Sequence, residues 1–424
     1  MIPVGRRERL KASLRELRGK GLRYWLKVIL LLVVGTWVGD WVGEKNLWID
    51  LRYRIYPVFQ ALAPDDDYPR RTALVIIDDD DYWKSEPAAR SPLKRDYLAR
   101  LIRALDAADP RVIALDIDLR SPIPEEGTAE LPEYRAETEE LLKTIKDVSH
   151  RRPIVLASFL AREEGGYVLA PNVYDHYDFA GGRILEGFTT LPRDLRQAAL
   201  YAALKGDGRA DSFAAAVVRP LDERALGYAG GEGELPYSTY YHTKDFPRRS
   251  ARQILQGNPT ALREELSDKI VLVGGGWHKS FYRGENSGDE DKVDLYFTPA
   301  GNIQGVYIHA NYVEALLNHR VRKPLWGGVA TLIDVMCSLI MAAIFALEMP
   351  LRSKLARVLS LCLLLIILSY FLWQNLGFFF DFFIPVVFLG AHTLLEEWRE
   401  SRSEVRRLRS NLQELEASMH APRT

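Results

Sequence analysis

Four stretches of this 424-residue chain are too long and too apolar for a polar surface, and they dictate the rest of its organisation. The first, "YWLKVILLLVVGTWVGDWVG", runs from Tyr24 to Gly43 and has about the ~20 residues that a helix needs to cross a bilayer. Lys27 sits where its stem can snorkel, and Trp37 and Trp41 suit the far interface. The basic segment "RRERLKASLRELRGKGLR" precedes it and no A-x-A-like cleavage signal comes after it, so the expected state is an uncleaved anchor. The competing reading of this segment is a buried core helix. The other three stretches are Leu325–Leu347, Leu355–Trp373 and Leu376–Leu395.

The positive-inside rule orients them. The basic N-terminus, the turn carrying Arg352 and Lys354, and the Arg-rich segment after Trp398 all belong on the cytoplasmic side. Four spans satisfy all three assignments. The expected organisation is therefore a basic cytoplasmic segment 1–23, transmembrane helices at 24–43, 325–347, 355–373 and 376–395, an extracytoplasmic domain at 44–324, and a cytoplasmic tail at 396–424. Gln374 and Asn375 form an outer turn.

The formal net charge of −1 offers nucleic acid no general attraction. Both cysteines, Cys337 and Cys362, fall in the apolar stretches, so the domain at 44–324 has neither a disulfide nor a cysteine-based zinc site. Its pattern alternates strand and helix. "TALVIID" (72–78), "RVIALDIDL" (111–119), "PIVLASFL" (153–160) and "KIVLVGGG" (269–276) read as strands buried on both faces. Between the first two, Pro92 opens a helix with an apolar face at Leu93, Tyr97, Leu98, Leu101, Ile102 and Leu105, and a second helix is expected at 133–148. This succession predicts an α/β fold, a three-layer domain around a mainly parallel sheet. Residues 161–250 read as loops and peripheral strands.

In such sheets the ligand crevice lies beyond the carboxyl ends of the strands. Asp78 to Asp81, Asp116 with Asp118, and Gly274–Gly276 all sit at or just past strand ends. If those ends adjoin, the domain has an acidic crevice with a glycine-rich wall. The stretch 269–318 poses the question directly: Gly274–Gly276, Asp294 and His309 either build a catalytic pocket or frame a domain that senses or binds.

The segments "ALVIIDDDDYW", "SPLKRDYLARLIRALDAADPRVIALDIDL", "SARQIL", "KIVLVGGGWHKSFYRG", "DLYFTPAG" and, most tellingly, "GVYIHANYVEALLN" resemble the CHASE2 sensory domain. The resemblance covers about residues 44–395, including the three membrane helices typical behind this domain. It implies an extracytoplasmic input domain of bacterial signalling proteins, in the inner membrane, whose output is usually a cyclase or a kinase placed after the last span. It carries over no ligand. The chain departs from the family pattern in two places. A "WPWPR"-like stretch is replaced by "YWKSEPAARSPLKR", which keeps Trp83, Pro92 and Arg95, and a "GAT"-like segment is replaced by Gly274–Gly276 with the bulky Trp277. The segment after Leu395 is too short for an output domain, so the expectation is a sensor or docking protein that works through a partner. The other expectation is a structural accessory or scaffold subunit of a larger membrane assembly.

Each candidate residue has a bland alternative. The glycine run matches neither a Walker A loop nor G-x-G-x-x-G, leaving a tight strand exit or a weak phosphate contact. His309, among Val306, Ile308 and Ala310, is either a satisfied imidazole at a helix start or a ligand contact together with Asn311. A zinc site would need His309 or His278 with carboxylates, and no metal or cofactor is assigned. Asp78–Asp81 is a cation site or a solvated turn, and neither it nor "GENSGDED" (284–291) matches the EF-hand pattern. Asp116, between Leu115 and Ile117, has to be paired, protonated or exposed at the strand end, which makes it the preferred functional carboxylate. The expected ligand set is Asp78, Asp116, Asp118, Gly274, Gly275, His309 and Asn311. No nucleophile–base pair is spaced for catalysis, so no enzyme is predicted.

Asp334, midway along the second span, is expected to contact another helix or a partner; Asp381 can reach water. In the tail, Trp398, Val405, Leu408, Leu412, Leu415 and Met419 fit heptad core positions, with Ser401 the polar exception. They suit a coiled coil with a second copy or with another membrane or signalling protein. Alternatively the tail is an amphipathic helix on the bilayer, held by Arg399, Arg402, Arg406, Arg407 and Arg409.

Overall fold

The structure, a computed structural model, describes residues 70–85, 93–120, 132–190, 198–278, 293–319 and 351–372 with short breaks, and scattered positions elsewhere. The chain forms two compact units, one spanning Tyr53–Lys323 and the other Met1–Arg52 with Pro324–Thr424.

The first unit is built on a six-stranded sheet. In chain order its strands are β1 (Thr72–Ile77), β2 (Val112–Asp116), β3 (Ile154–Ser158), β4 (Ile184–Phe188), β5 (Arg248–Ser250) and β6 (Ile270–Gly275). In space the order is β5-β1-β6-β2-β3-β4, and every neighbouring pair is parallel. The central strands are Val-, Ile- and Leu-rich and buried along their length, as both-face burial requires.

One face carries α2 (Arg95–Ala107) and α3 (Pro132–Ser149), the crossovers from β1 to β2 and from β2 to β3. Helices α5 (Ala251–Gln256) and α6 (Pro259–Leu266) lie against α2 on the same side. Leu98, Leu101, Ile102, Leu105, Leu141 and Ile145 pack there on Val75, Ile113, Leu115 and Val273. The other face carries α4 (Phe213–Val218) and α7 (Gly305–Leu317), in both of which every residue is buried. The three-layer, parallel α/β architecture is as the sequence predicts.

The stretch 161–250 holds the peripheral strands expected of it and, beyond that reading, a buried helix. It supplies β4, a full member of the sheet, and α4, half of a helical layer. The sequence "ILEGF" conceals β4 because a charge and a glycine interrupt its apolar run. Both have reasons. Tyr174 and Asn172 donate to the Glu186 carboxyl at 3.0 and 3.3 Å. A Cβ on Gly187 would meet the Phe213 Cα at 2.6 Å, so the glycine lets α4 lie directly on the strand.

In the second unit, α8 (Leu351–Phe371) covers most of the third apolar stretch and leaves Leu359, Leu363, Leu364 and Ile367 exposed. Among the described residues, no helix is long and apolar enough to cross a membrane. The stretches at 24–43, 325–347 and 376–395 lie outside the described residues apart from scattered positions, as do Asp334, Trp398, Leu412 and Leu415.

Gly187→Ala is expected to destabilise a fragment of residues 53–323 by about 1–3 kcal/mol in urea unfolding, since main chain must move to admit the methyl. An unchanged midpoint would show that α4 does not rest on β4 this closely.

Candidate functional site

The path of β6 creates the site. Its neighbours β1 and β2 lead to helices on one face of the sheet, whereas β6 leads to α7 on the other. Such a reversal of connections opens a crevice at the carboxyl ends of the strands. Here Gly274 lies in register with Asp116 and Gly275 with Ile77, the residue before Asp78. The three strand ends singled out in the sequence therefore adjoin.

The glycines are a close strand exit. A Cβ on Gly274 would meet Val306 at 2.6 Å, so its absence lets the first turn of α7 press against β6. Gly275 is likewise covered by the Trp277 ring, which stacks on Tyr82 with centroids 4.3 Å apart.

Beyond Gly274, on the α7 side, two carboxyls and a phenol converge. The hairpin of β7 (Leu295–Thr298) and β8 (Gly301–Gln304) leads into α7, and Asp294 stands at its foot with φ +52°. The Asp294 carbonyl accepts the Gly305 N–H at 2.9 Å, and its carboxyl also receives that N–H and the Tyr296 hydroxyl. Helix α7 thus starts against an acidic side chain, the favourable sign for a helix N-terminus. Gly305 is required here, because a Cβ would collide with the Asp294 carboxyl.

Asp116 is partly buried and, among the described residues, its carboxyl has no hydrogen-bond partner. Burial and the nearby Asp294 raise it well above the usual carboxylate range. Burial also raises Asp294, against its hydrogen bonds, and Tyr296 is raised by burial and both acids. Among the described residues, no cation contributes to these shifts. Asp294 is exposed and Asp116 and Tyr296 are partly exposed, so the group opens to solvent instead of sitting sealed in the core.

The carboxylates of the Asp78–Asp81 run are each engaged by partners within the protein. Asp78 N-caps α1 (Asp79–Lys84), accepting the Asp81 N–H at 2.9 Å. The fully buried Asp81 accepts the N–H groups of Ala251 at 3.1 Å and Arg252 at 2.8 Å, capping α5 across the sheet edge. Asp79 accepts the His278 N–H at 2.7 Å and meets its Nδ1 at 2.6 Å. Asp80 pairs with Lys84 at the surface. The four charges serve four separate contacts.

The remaining candidates lie apart from the recess. Asp118 is bound by Arg120, whose Nε lies 3.0 Å from Oδ1; burial pushes its carboxyl up, but the Arg120 hydrogen bonds hold it below its ordinary value. His309 is 3 % exposed and lies edge-on to Phe213 of α4, ring centroids 5.1 Å apart. Burial pushes its imidazole down to about 3, so it is neutral at ordinary pH. Asn311 is buried and donates to the Tyr307 carbonyl within its own helix. Among the described residues, no three His, Cys, Asp or Glu side chains are grouped to hold a metal. Of the expected ligand set, only Asp116, Gly274 and Gly275 meet at the recess. Asp294, raised in the sequence as a possible pocket residue, joins them, and so does Tyr296, which the sequence marked only as part of the family-like segment "DLYFTPAG".

A doubly wound parallel domain with an open recess at its switch point is a scaffold for receiving a ligand. A family model of the CHASE2 domain matches residues 28–345, and the chain belongs to the CHASE2 family. Members of this family are extracytoplasmic sensory domains, which gives the first unit a sensing role outside the membrane. No curated protein and no solved structure matches the chain.

Asp81 gives a test of the electrostatics. Burial, with Asp78 next, pushes its carboxyl up to about 6 from 3.8. Its contribution to stability is therefore complete below pH 4 and lost as pH rises through about 6. Asp81→Asn is expected to flatten the fall in melting temperature between pH 5 and pH 8. A slope identical to that of the parent would show that Asp81 ionises as it does in the unfolded chain.

Proposed function

We propose that the recess formed by Asp116, Asp294, Tyr296 and the Gly274 strand end is the input site of a membrane-anchored sensor. The sensor passes its state through its membrane unit and C-terminal tail to a separate partner protein. The observation that carries this reading is the Asp116 carboxyl, left without a hydrogen-bond partner among the described residues, beside a second acid at the switch point of the sheet. Such a carboxyl, partly open to solvent and committed to no partner of its own fold, is free to engage a ligand.

The route outward is α7. Its N-terminus is held by Asp294, and its C-terminus lies a few residues before Pro324, where the second unit begins. A ligand that engages Asp116 and Asp294 alters the charge against which α7 starts. Signalling then requires that the ligand bind one placement of α7 more tightly than another. The four spans, the cytoplasmic location of both termini and a helix contact through Asp334 belong to the same proposal.

The experiment is a thermal-shift comparison of the purified full chain with its Asp116→Asn variant, across pH and against pools of small extracytoplasmic solutes. Asp116 loses its stabilising contribution as pH rises through its raised pKa, whereas asparagine does not titrate. The variant should therefore melt above the parent, with the gap widening from pH 5.5 to pH 8, and it should no longer respond to solutes that stabilise the parent. A solute response that survives Asp116→Asn moves the input site elsewhere. A protein retained in fixed ratio, with no solute response, replaces sensing by docking.

A further inference from the structure

The strand ends opposite the recess carry the reverse charge. The register places Arg71, Lys269 and Arg111, each one residue before β1, β6 and β2, side by side with Arg152, two residues before β3. Main-chain bonds hold the row: the Lys269 carbonyl accepts the Arg111 N–H at 2.8 Å, and the Arg71 carbonyl accepts the Ile270 N–H at 2.9 Å. Arg183 follows before β4, its carbonyl accepting the Ile154 N–H at 2.9 Å. Neighbouring strands lie about 4.8 Å apart, so like charges in such a row repel. Arg152 is buried against Asp106 and Asp109, carboxylates that it shares with Arg151 and Arg263. Arg71, Arg111 and Arg183 are exposed and Lys269 is half-buried, and among the described residues none of these four is in an ion pair. Asp268, next to Lys269, is exposed and subtracts one charge. The adjoining sequence adds Asp65–Asp67 before the row and Arg320, Arg322 and Lys323 after His319, which cancel. An array kept against its own repulsion calls for an anionic partner.

We infer that this basic edge rests on the anionic headgroups of the bilayer that anchors the chain. The path of the chain selects this occupant. Both ends of the described domain lie at this edge: the chain enters β1 through Arg70 and Arg71, and α7 finishes beside it, where the Glu314 carboxylate accepts the Thr72 N–H at 2.7 Å. The apolar stretch that starts at Leu325 begins six residues after His319, at most about 20 Å of extended chain. A soluble polyanion has no such tether. Anionic lipid attracts Lys and Arg within about a Debye length of its surface, ~8 Å at physiological salt, so exposed cations held this near are drawn onto it. The strands then point their carboxyl ends, and the recess of Asp116 and Asp294, away from the lipid. The inference rests on the membrane anchorage proposed above and adds the surface by which the domain meets lipid.

The test uses the full chain with Cys337 and Cys362 replaced by serine, reconstituted into vesicles of phosphatidylcholine alone or mixed with phosphatidylglycerol. A fluorescent donor is attached through Ala107→Cys, at the basic edge, or Thr190→Cys, beyond the carboxyl end of β4, both exposed positions. Energy transfer to a headgroup-labelled lipid is then read. With phosphatidylglycerol, transfer from position 107 should exceed that from position 190 several-fold. It should fall towards the phosphatidylcholine level on raising salt, or on combining Arg71→Gln with Arg111→Gln; in phosphatidylcholine alone neither change should matter. The salt series needs no substitution in the row, so a misfolded double variant leaves the test intact. Equal transfer from the two positions, or more from 190, overturns the inference. So does strong transfer from 107 that ignores lipid charge, salt and the double variant, since the tether alone would then set the distance. Carbonate washing tells this failure from a failure of the anchorage, because a chain stripped from all vesicles has no spans. The inference then stands if the stripped chain still sediments at low salt with phosphatidylglycerol vesicles and not with phosphatidylcholine, and falls if it binds neither.

Discussion

The domain depends on a strand that arrives last and goes to the middle. β6 is inserted between β1 and β2, so these two cannot pair with each other, and the sheet has no continuous centre until residues 270–275 are in place. Its hydrogen-bonding partners lie far earlier in the chain, a costly arrangement of high contact order. The same insertion reverses the connectivity on the two faces and thereby opens the recess. It also explains why the strand ends in glycine. With α7 pressing on one side at Val306 and the Trp277 ring on the other, side chains at Gly274 and Gly275 have no space. Their absence lets Val306 and the Trp277 ring close over the strand end beside Asp116.

Asp81 and Asp116 show how the same residue type divides between architecture and function. Asp81 is fully buried and Asp116 partly so, each beside another acid, and burial raises both. Asp81 repays its desolvation by capping α5 and bonding back to Asp78, so its position follows from the fold alone. Asp116 caps nothing. A group kept at a stability cost with no structural return is where function is to be sought. The contrast separates the two where composition does not: each aspartate of the acidic run meets a protein partner, and the lone aspartate in the strand meets none among the described residues.

Much of this was legible in the sequence, and the remainder was hidden for identifiable reasons. Runs of Val, Ile and Leu marked the central strands, and the glycine and aspartate ends marked a shared edge because parallel strands finish on the same side. Spatial order was not legible, because nothing in "KIVLVGGG" says that it separates β1 from β2. β4 was not located individually because Glu186 and Gly187 answer to distant partners, Tyr174 and Phe213. Asp78–Asp81 looked like a charge run because its partners, Ala251, Arg252 and His278, lie nearly two hundred residues away. His309 carried the family's most telling motif, yet its helix face turns towards α4 and away from the recess. A strongly patterned helix fixes what is buried; which neighbour buries it is settled by topology.

Helix α7 carries the consequence of that topology furthest. All thirteen of its residues are buried, so it cannot drift; a packed helix moves between discrete placements or stays. It is tied at two points. Near its C-terminus the Glu314 carboxylate accepts the Thr72 N–H at 2.7 Å, joining the helix to the start of β1, and receives the Asn318 amide at 3.2 Å. At its N-terminus it is tied to Asp294, whose charge burial opposes and which in turn raises the nearby Asp116. Of the two ties, the second is the one that a proton or a ligand in the recess can alter without entering the core. A change there acts on the end of a helix that is buried along its whole length and tied at its far end to the start of β1.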